Sequence, residues 1–424
     1  MRSRFPLVRM ILVVGISLLA RPYVSSAAGI SGRWNAVVVA NKVQVPFRFE
    51  IAQNGNQVAG YFFEGDRKVG STSGRFENGT LTLEYDFLNT VLEAAFDGDQ
   101  LRGTYRNKRP KARPMEFRAE RFTPVATAVA AANEPQVAGE WVMYHTAKDN
   151  SKLDVSWRLY LRQAGSAVSG AILKTSGDSG TLVGQWHDGR LVMSHFAGER
   201  PLLFEAHLDP DRTLAITLDR EFTYRAARTH EASAQGLPTP PDLSQFTRVH
   251  DPAEPFHFSG LTVDGKLVSD AEPRFRGRVV MLTIGGSWCP NCHDEAPFLV
   301  DLYKEFHARG LELVGLFFEN DPELAVARPR ILSFITRYHV PFPILVPGTV
   351  DEAAKKLPQL VNFGVYPTSI ILGRDGRVRD VHAGFASAAT GEEHVRLMRE
   401  QRELVIHLLA EKPQNVQSAK NLRP

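Results

Sequence analysis

The stretch Gly285-Gly286-Ser287-Trp288-Cys289-Pro290-Asn291-Cys292-His293-Asp294-Glu295-Ala296-Pro297 decides the fold of the second half of this chain. It directly follows a continuous apolar run, residues 278–284 (RVVMLTI), which is typical of a strand buried on both faces. Apolar residues then recur at helical spacing as far as Phe306, and Gly310 is placed to end that helix. The stretch therefore marks a strand-to-helix turn with two cysteines in the first helical turn.

Strands and helices continue to alternate beyond this turn, which predicts an α/β domain. The pattern predicts strands over residues 312–318, 342–346, 368–372 and 378–383, and helices over residues 321–338 and 391–411. The last two strands would pair across the turn Arg374-Asp375-Gly376.

Two cysteines separated by two residues at the start of a helix have a specific chemistry. Cys289 would face unpaired backbone N–H groups and the positive end of the helix dipole, which lower the pKa of a thiol. Cys292 follows one turn later, close enough to close a short disulfide ring. A thiolate that attacks a substrate disulfide forms a mixed disulfide, which the second cysteine can resolve. Pro290 suits the first turn because it lacks an N–H that would be unpaired there.

Together these motifs resemble the thioredoxin fold, and specifically the TlpA/ResA-like family of exported thiol-disulfide oxidoreductases. The resemblance covers residues 251–412. It rests on Trp288 before Cys-Pro-Asn-Cys, on the following Glu-x-Pro, and on Gly364-Val365-Tyr366-Pro367-Thr368 at the place of the family's cis-proline loop. The lead-in at residues 256–266 (FHFSGLTVDGK) and the hairpin at residues 373–377 (GRDGR) also match.

The resemblance implies the roles of the reactive groups. Cys289 would be the nucleophile and Cys292 the resolving thiol, the two forming a redox-active disulfide. Glu295 would be the active-site acid that accepts or donates a proton near the sulfurs; its alternative role is an acid in the first turn that the helix dipole stabilises. We interpret Asp294 only in that second way.

The resemblance also implies a substrate-binding set. Pro367, if cis, would place the backbone of Tyr366 against the sulfurs, where substrate strands add by hydrogen bonding. Trp288 would cover the sulfurs, and Pro290 would lie beside them. One departure from the family pattern is Gly285-Gly286-Ser287, where an aromatic residue and alanine are commoner, and we expect these residues to loosen the loop.

The same residues leave three rival interpretations open. Cys289-x-x-Cys292-His293 is formally the signature of c-type haem attachment. A peroxiredoxin would place its cysteine in a Pro-x-x-x-Thr/Ser-x-x-Cys setting, which residues 282–289 (LTIGGSWC) lack. A metal site made from Cys289, Cys292 and His293 would need a fourth ligand. We expect no metal and no cofactor besides the disulfide itself.

The first half of the chain contains an internal repeat of a β-rich unit, at residues 29–123 and 135–229. Corresponding motifs lie 107 to 112 positions apart. Alternating apolar and polar residues between turn signals predict two duplicated antiparallel all-β domains, each a sandwich or barrel. Asn78-Gly79 and Asp188-Gly189 predict hairpin turns, and Trp34 and Trp141 predict core aromatics. Residues 124–134 and 230–250 would be linkers, and residues 413–424 a tail. An alternative function is that these units bind an envelope partner or a ligand and carry the main activity.

The amino terminus has the layout of a secretory signal peptide over residues 1–28. Arg2, Arg4 and Arg9 precede the apolar run at residues 10–20, and small residues follow. We expect a secreted or periplasmic protein; the alternative is an uncleaved anchor, although 11 apolar residues are fewer than the ~20 that span a bilayer.

Composition and charge exclude several classes of protein. With 43% hydrophobic and 23% charged residues the chain is neither disordered nor a polytopic membrane protein. Lys and Arg number 50 against 47 Asp and Glu; without the four arginines of residues 1–28 the charge is −1, which gives no reason to expect a nucleic-acid partner. Expected partners are protein thiols and disulfides and an unidentified electron donor or acceptor.

Overall fold

The computed structural model describes residues 29–109, 111–123, 134–145, 156–175, 177–237, 239–240 and 242–412. The predicted signal peptide, the predicted tail and almost all of the first predicted linker lie outside the described residues. The described chain forms two antiparallel barrels followed by a thioredoxin-like α/β domain, as the sequence predicts.

The first barrel, called barrel 1, is a closed meander of eight strands. Each strand pairs with its neighbours in chain order, and the ring closes where β1 pairs with β9; β4 pairs with β3 outside the ring. The strands are β1 (Gly32–Ala40), β2 (Val43–Asn54), β3 (Gln57–Glu64), β4 (Arg67–Gly70), β5 (Ser73–Glu77), β6 (Thr80–Tyr85), β7 (Thr90–Asp97), β8 (Gln100–Asn107) and β9 (Met115–Arg121).

The second barrel, called barrel 2, has the same order of strands. It closes where β10 pairs with β18, and β13 pairs with β12 outside the ring. The strands are β10 (Gly139–His145), β11 (Ser156–Ala164), β12 (Ala167–Lys174), β13 (Gly177–Asp178), β14 (Leu182–His187), β15 (Arg190–His195), β16 (Leu202–Leu208), β17 (Leu214–Leu218) and β18 (Phe222–Arg228). The origin of the two barrels by duplication stays a prediction.

Equivalent residues make equivalent contacts in the two barrels. The indole of Trp34 donates to the carbonyl of Ile30, and an arginine from β9 lies 4.2 Å above its ring; Trp141 has the same arrangement, with its arginine at 4.1 Å. Both tryptophans are buried core residues, as expected. Asn78-Gly79 and Asp188-Gly189 both have positive φ at the two turn positions, which confirms the predicted hairpins.

Barrel 1 has an aromatic interior that a residue of barrel 2 completes. Its fully buried side chains include Trp34, Phe49, Phe62, Tyr85, Tyr105 and Phe117. Phe196 comes from the β15–β16 loop of barrel 2 (residues 196–201), and its ring centroid lies 4.7 Å from that of Phe47 and 5.3 Å from that of Phe62. The hydroxyl of Tyr105 donates to the carbonyl of Gly198 in the same loop at 2.7 Å. A loop of barrel 2 therefore completes the hydrophobic core of barrel 1, while barrel 2 keeps a core of its own.

The C-terminal domain has a seven-stranded mixed sheet in the order β21-β20-β24-β23-β22-β26-β27. Strands β22, β23 and β24 are parallel, whereas β26 and β27 form an antiparallel hairpin beside β22. The strands are β19 (Arg248–Val249), β20 (Ser259–Thr262), β21 (Leu267–Ser269), β22 (Val279–Gly285), β23 (Leu311–Glu319), β24 (Ile344–Thr349), β25 (Leu360–Val361), β26 (Thr368–Leu372) and β27 (Val378–Ala383).

Helices cover both faces of this sheet or connect it to the barrels. They are α1 (Thr229–Ala234), α2 (Leu243–Phe246), α3 (Pro290–Phe306), α4 (Leu324–Tyr338), α5 (Ala353–Lys356) and α6 (Glu392–Ala410). Every residue of β22 is buried, as the apolar run at its sequence predicts. Among the described residues, no helix has both the length and the apolar character needed to cross a membrane.

We predict that Phe196→Ala destabilises the barrel pair. It removes a buried ring from the aromatic interior of barrel 1, and truncation of a buried phenylalanine costs about 3–5 kcal/mol. Calorimetry should show the unfolding transition of the barrels at a lower temperature. The matched control is Phe222→Ala, because Phe222 lies in the same barrel and is 46% exposed. Equal melting temperatures for the two variants would contradict the role of Phe196 in the core of barrel 1.

Candidate active site

Cys289 and Cys292 form a disulfide at the N-terminus of α3. Their Cα atoms are 5.2 Å apart, and Cys289 is the N-cap residue of the helix, with Pro290 in its first turn. The backbone N–H of Cys292 points to the sulfur of Cys289 at 3.2 Å. The helix N-terminus therefore supplies a hydrogen bond and a positive dipole end to this sulfur, both of which stabilise a thiolate once the disulfide is reduced.

The loop before the cysteines is tightly packed. A Cβ atom on Gly285 would lie 2.8 Å from the sulfur of Cys292, and one on Gly286 would lie 2.3 Å from the indole nitrogen of Trp288. Glu319, at the end of β23, accepts hydrogen bonds from the backbone N–H and the hydroxyl of Ser287 at 2.7 and 2.8 Å. The expectation that these glycines loosen the loop is therefore wrong: they permit close contact with the disulfide and the indole.

Glu295 belongs to the disulfide helix α3 and turns its side chain toward the sheet, with 1% of its surface exposed. Its carboxyl oxygens accept hydrogen bonds from the hydroxyls of Thr283 in β22 and Ser369 in β26, both at 2.6 Å. Burial raises the pKa of Glu295 to about 7, although the two hydroxyls oppose that rise. A carboxyl group with a pKa near neutrality can both accept and donate a proton under physiological conditions.

The predicted substrate-binding residues meet at one edge of the site. The peptide bond between Tyr366 and Pro367 is cis, as the resemblance implies. The rings of Tyr366 and Trp288 contact each other with centroids 5.3 Å apart, and both side chains are half-buried. Trp288 is fixed by a hydrogen bond of 2.8 Å from its indole to the carbonyl of Phe318. Trp288 and the cis-proline loop thus form an aromatic flank beside the reactive pair.

His293 is buried, and both nitrogens of its ring have polar contacts inside the protein. One ring nitrogen lies 3.0 Å from the carbonyl of Ser287 and the other 3.1 Å from the hydroxyl of Tyr338. Burial lowers its pKa to about 4, so the ring is neutral at pH 7. These contacts leave neither nitrogen available to ligate a haem iron, and the residues present do not fit the haem interpretation. Over the ranges that the structure describes, no group of three His, Cys, Asp or Glu residues could hold a metal ion.

Asp294 connects the reactive helix to both barrels, a role that the sequence interpretation missed. One carboxyl oxygen lies 3.0 Å from the guanidinium of Arg67 in barrel 1, and the other lies 3.5 Å from the guanidinium of Arg200 in barrel 2. The Asp294 side chain is only 9% exposed. Its partners lie 227 and 94 positions away in the chain, so no local pattern could indicate these contacts.

The fold and the site define a class of domain: a thioredoxin-like α/β domain with a cysteine pair at the start of a helix and a cis-proline beside it. Residues 248–394 match the family model described as Redoxin. Residues 248–394 of this chain are therefore a redoxin domain. Residues 29–247 lie outside the match.

The chain is similar to several curated thiol-disulfide oxidoreductases called ResA. The ResA of Halalkalibacterium halodurans is 31% identical over 125 residues, which cover 29% of this chain and 64% of that protein. A ResA of Bacillus cereus is 28% identical over 103 residues, covering 24% of this chain and 53% of that protein. The chain thus spans between half and two thirds of the length of these relatives.

Several solved structures are also similar to part of this chain. A thiol:disulfide interchange protein from Chlorobium tepidum is 23% identical, with 37% of this chain and 98% of that chain covered and a TM-score of 0.30. A secreted thiol-disulfide isomerase from Corynebacterium glutamicum is 19% identical, with 41% and 96% covered and a TM-score of 0.31.

We predict that the hydroxyls of Thr283 and Ser369 set the pH dependence of Glu295. Both stabilise the carboxylate, so Thr283→Val or Ser369→Ala should raise the pKa of Glu295 further above its ordinary value. A hydrogen bond to a charged group is worth ~1.5 kcal/mol, or about one pH unit. The rate of disulfide reduction by prereduced protein, measured against pH, should keep its inflection near pH 7 in the parent chain and move it upward in the variants.

The control for this experiment is Thr262→Val, which removes a similar hydroxyl–carboxylate contact from the exposed hairpin of the same domain. It should leave the profile unchanged. Glu295→Gln should remove the inflection that belongs to Glu295 and leave only that of the Cys289 thiol. A downward shift in Thr283→Val, or an unchanged profile in Glu295→Gln, would show that Glu295 does not take part in proton transfer.

Proposed function

We propose that this protein is an exported thiol-disulfide oxidoreductase that reduces disulfides of protein substrates through Cys289 and Cys292. The observation that carries the proposal is the position of Cys289 as the N-cap of α3, with the N–H of Cys292 directed at its sulfur. A nucleophilic cysteine needs a stabilised thiolate, and this position provides one. The similarity to ResA proteins supports the same chemistry, and reduction is the direction that the family resemblance implies.

The reaction proceeds in two exchanges. In the reduced protein, the Cys289 thiolate attacks one sulfur of a substrate disulfide; a bond forms between them, and the other substrate sulfur leaves as a thiolate that takes up a proton. The Cys292 thiolate then attacks the sulfur of Cys289, and the substrate leaves as its second thiolate. Two electrons have passed from the cysteine pair to the substrate. A dithiol donor reduces the pair again by the reverse exchanges.

Glu295 and the aromatic flank assist these exchanges in the proposal. Glu295 accepts the proton of the Cys292 thiol before the second exchange, which its pKa near 7 allows without a large energetic cost. The backbone of Tyr366, before the cis-proline, aligns the substrate strand next to the sulfurs. Trp288 and Pro290 bound the space that this strand occupies. No metal or other cofactor takes part.

Export to the cell envelope belongs to the proposal as well. It is supported by the arginines, the short apolar run and the small residues at the amino terminus. An oxidising compartment would supply substrate disulfides, and the chain has only the two cysteines of the reactive pair, so no third thiol can be mispaired with them.

We do not assign the main function to the barrels. The interior of barrel 1 is filled by its own aromatic side chains and by Phe196, so it resembles a packed core more than a ligand cavity. The contacts of Arg67 and Arg200 with Asp294 tie the barrels to the redox helix instead.

Substitution of each cysteine separately tests the proposal. Cys289→Ser should abolish dithiothreitol-driven reduction of a small disulfide and of insulin, because the nucleophile is lost. Cys292→Ser should also lose turnover but should accumulate a mixed disulfide with the substrate, since the resolving thiol is missing. Intact-mass measurement of the protein detects this adduct. The assignment of Cys289 as the nucleophile would be contradicted if Cys289→Ser retained turnover. It would also be contradicted if Cys289→Ser formed the mixed disulfide, through Cys292, more readily than Cys292→Ser does.

A further inference from the structure

Barrel 2 packs directly against the residues between the two cysteines. A Cβ atom on Gly177 in β13 would lie 2.8 Å from the side-chain amide carbon of Asn291, so backbone and amide are in close contact. The carboxylate of Asp178 accepts a hydrogen bond of 2.6 Å from the backbone N–H of Ser387, in the loop after β27. Leu173 of β12 belongs to the same hydrophobic cluster as Phe385. One side of the reactive motif is therefore closed by another domain.

Arg200 holds this contact together. Its guanidinium donates to the carbonyl of Asp178 at 2.8 Å and to the side-chain oxygen of Asn291 at 3.0 Å, and it pairs with Asp294. Its backbone φ is +51°, a region that residues with a side chain adopt only at an energetic cost. The surrounding contacts must offset that cost, which indicates that the arginine is held in place against the motif.

The two flanks of the disulfide therefore differ. On the Asn291 side, barrel 2 covers the motif, whereas the half-buried rings of Trp288 and Tyr366 form the aromatic flank. Cys289 exposes 2% of its surface and Cys292 exposes 3%. A disulfide can exchange only if its sulfur reaches the sulfur of Cys289, and a bulky folded protein approaches an almost fully buried residue less easily than a small molecule does.

We propose that barrel 2 is a wall of the exchange site and that Arg200, which holds the wall against Asn291 and Asp294, is a specificity-determining residue that limits the size of the disulfides accepted. This role rests on the proposed function and adds to it a dependence on the size of the substrate. Small disulfides reach the pair along the aromatic flank. Disulfides of larger folded proteins react more slowly while the wall stays in place.

Single-turnover kinetics of the full chain test this inference. Prereduced protein is mixed with hydroxyethyl disulfide, which is small and uncharged, or with native insulin, and the thiols remaining are counted after acid quenching. A neutral small disulfide is chosen because loss of the Arg200 charge would change the attraction of a charged one. The parent chain should react much faster with the small disulfide than with insulin.

Arg200→Ala should raise the rate constant for insulin about tenfold, equivalent to ~1.4 kcal/mol, and leave that for hydroxyethyl disulfide within about twofold. The insulin rate constant of Arg200→Lys should lie between those of the parent chain and Arg200→Ala. An ammonium group can pair with Asp294 but lacks the planar fork that reaches several acceptors. The matched control Arg220→Ala removes a largely exposed arginine of the same barrel and should behave as the parent chain.

Three results would overturn the inference: an unchanged insulin rate in Arg200→Ala, equal increases with both disulfides, or equal reactivity of the parent chain toward both. If circular dichroism shows that Arg200→Ala is unfolded, Arg200→Lys is used for the test instead. For this variant we expect a smaller rise in the rate constant, with insulin and not with hydroxyethyl disulfide. Failure of the parent chain to reduce either disulfide contradicts the proposed function instead, so the two failures can be told apart.

Discussion

The arrangement of the three domains depends on the pairing of one buried carboxylate with two arginines. Asp294 lies in α3 beyond its first turn, and burial raises the pKa of its carboxyl to about 7. Its charged form could not be buried there alone, since an isolated ion loses several kcal/mol of hydration. Arg67 from barrel 1 and Arg200 from barrel 2 provide the opposite charges. The helix that carries the reactive pair is consequently the place where all three domains meet.

The chemistry of the site and access to it come from different parts of the chain. The cysteines, Glu295 and the cis-proline loop all belong to the C-terminal domain, and Glu295 is held by two hydroxyls of that same domain. The cover on the Asn291 side of the motif comes from barrel 2, which also contributes Phe196 to the core of barrel 1. A barrel pair that looks structural in isolation thus forms part of the surroundings of the disulfide.

The local part of this structure could be predicted from the sequence. The strand before the cysteines, the helix after them, the hairpin of β26 and β27 and the turns at Asn78 and Asp188 are each specified by neighbouring residues. The same holds for the family-like positions of Pro367 and Glu295, which a short motif identifies.

Contacts between distant residues could not be predicted in this way. From the sequence, Asp294 is predicted to be an ordinary acid of the first helical turn, because its partners lie in other domains. Nothing in the sequence around Glu319 indicates that its carboxylate binds Ser287 from a neighbouring strand. The glycines at 285 and 286 suggested a loose loop, although they are required by contacts with a sulfur and an indole. Periodicity reports which face of an element is buried, but not what it is buried against.

The central claim, that Cys289 and Cys292 form a reversible redox couple in the intact chain, is tested most directly by a redox titration. The protein is equilibrated in buffers of defined dithiothreitol or glutathione ratio, its free thiols are alkylated, and its intact mass is measured. The account predicts one reversible two-electron transition in which both cysteines gain or lose their label together, within the range of about −120 to −270 mV spanned by thiol oxidoreductases. A disulfide that stays closed throughout this range, or that opens without closing again, would contradict it.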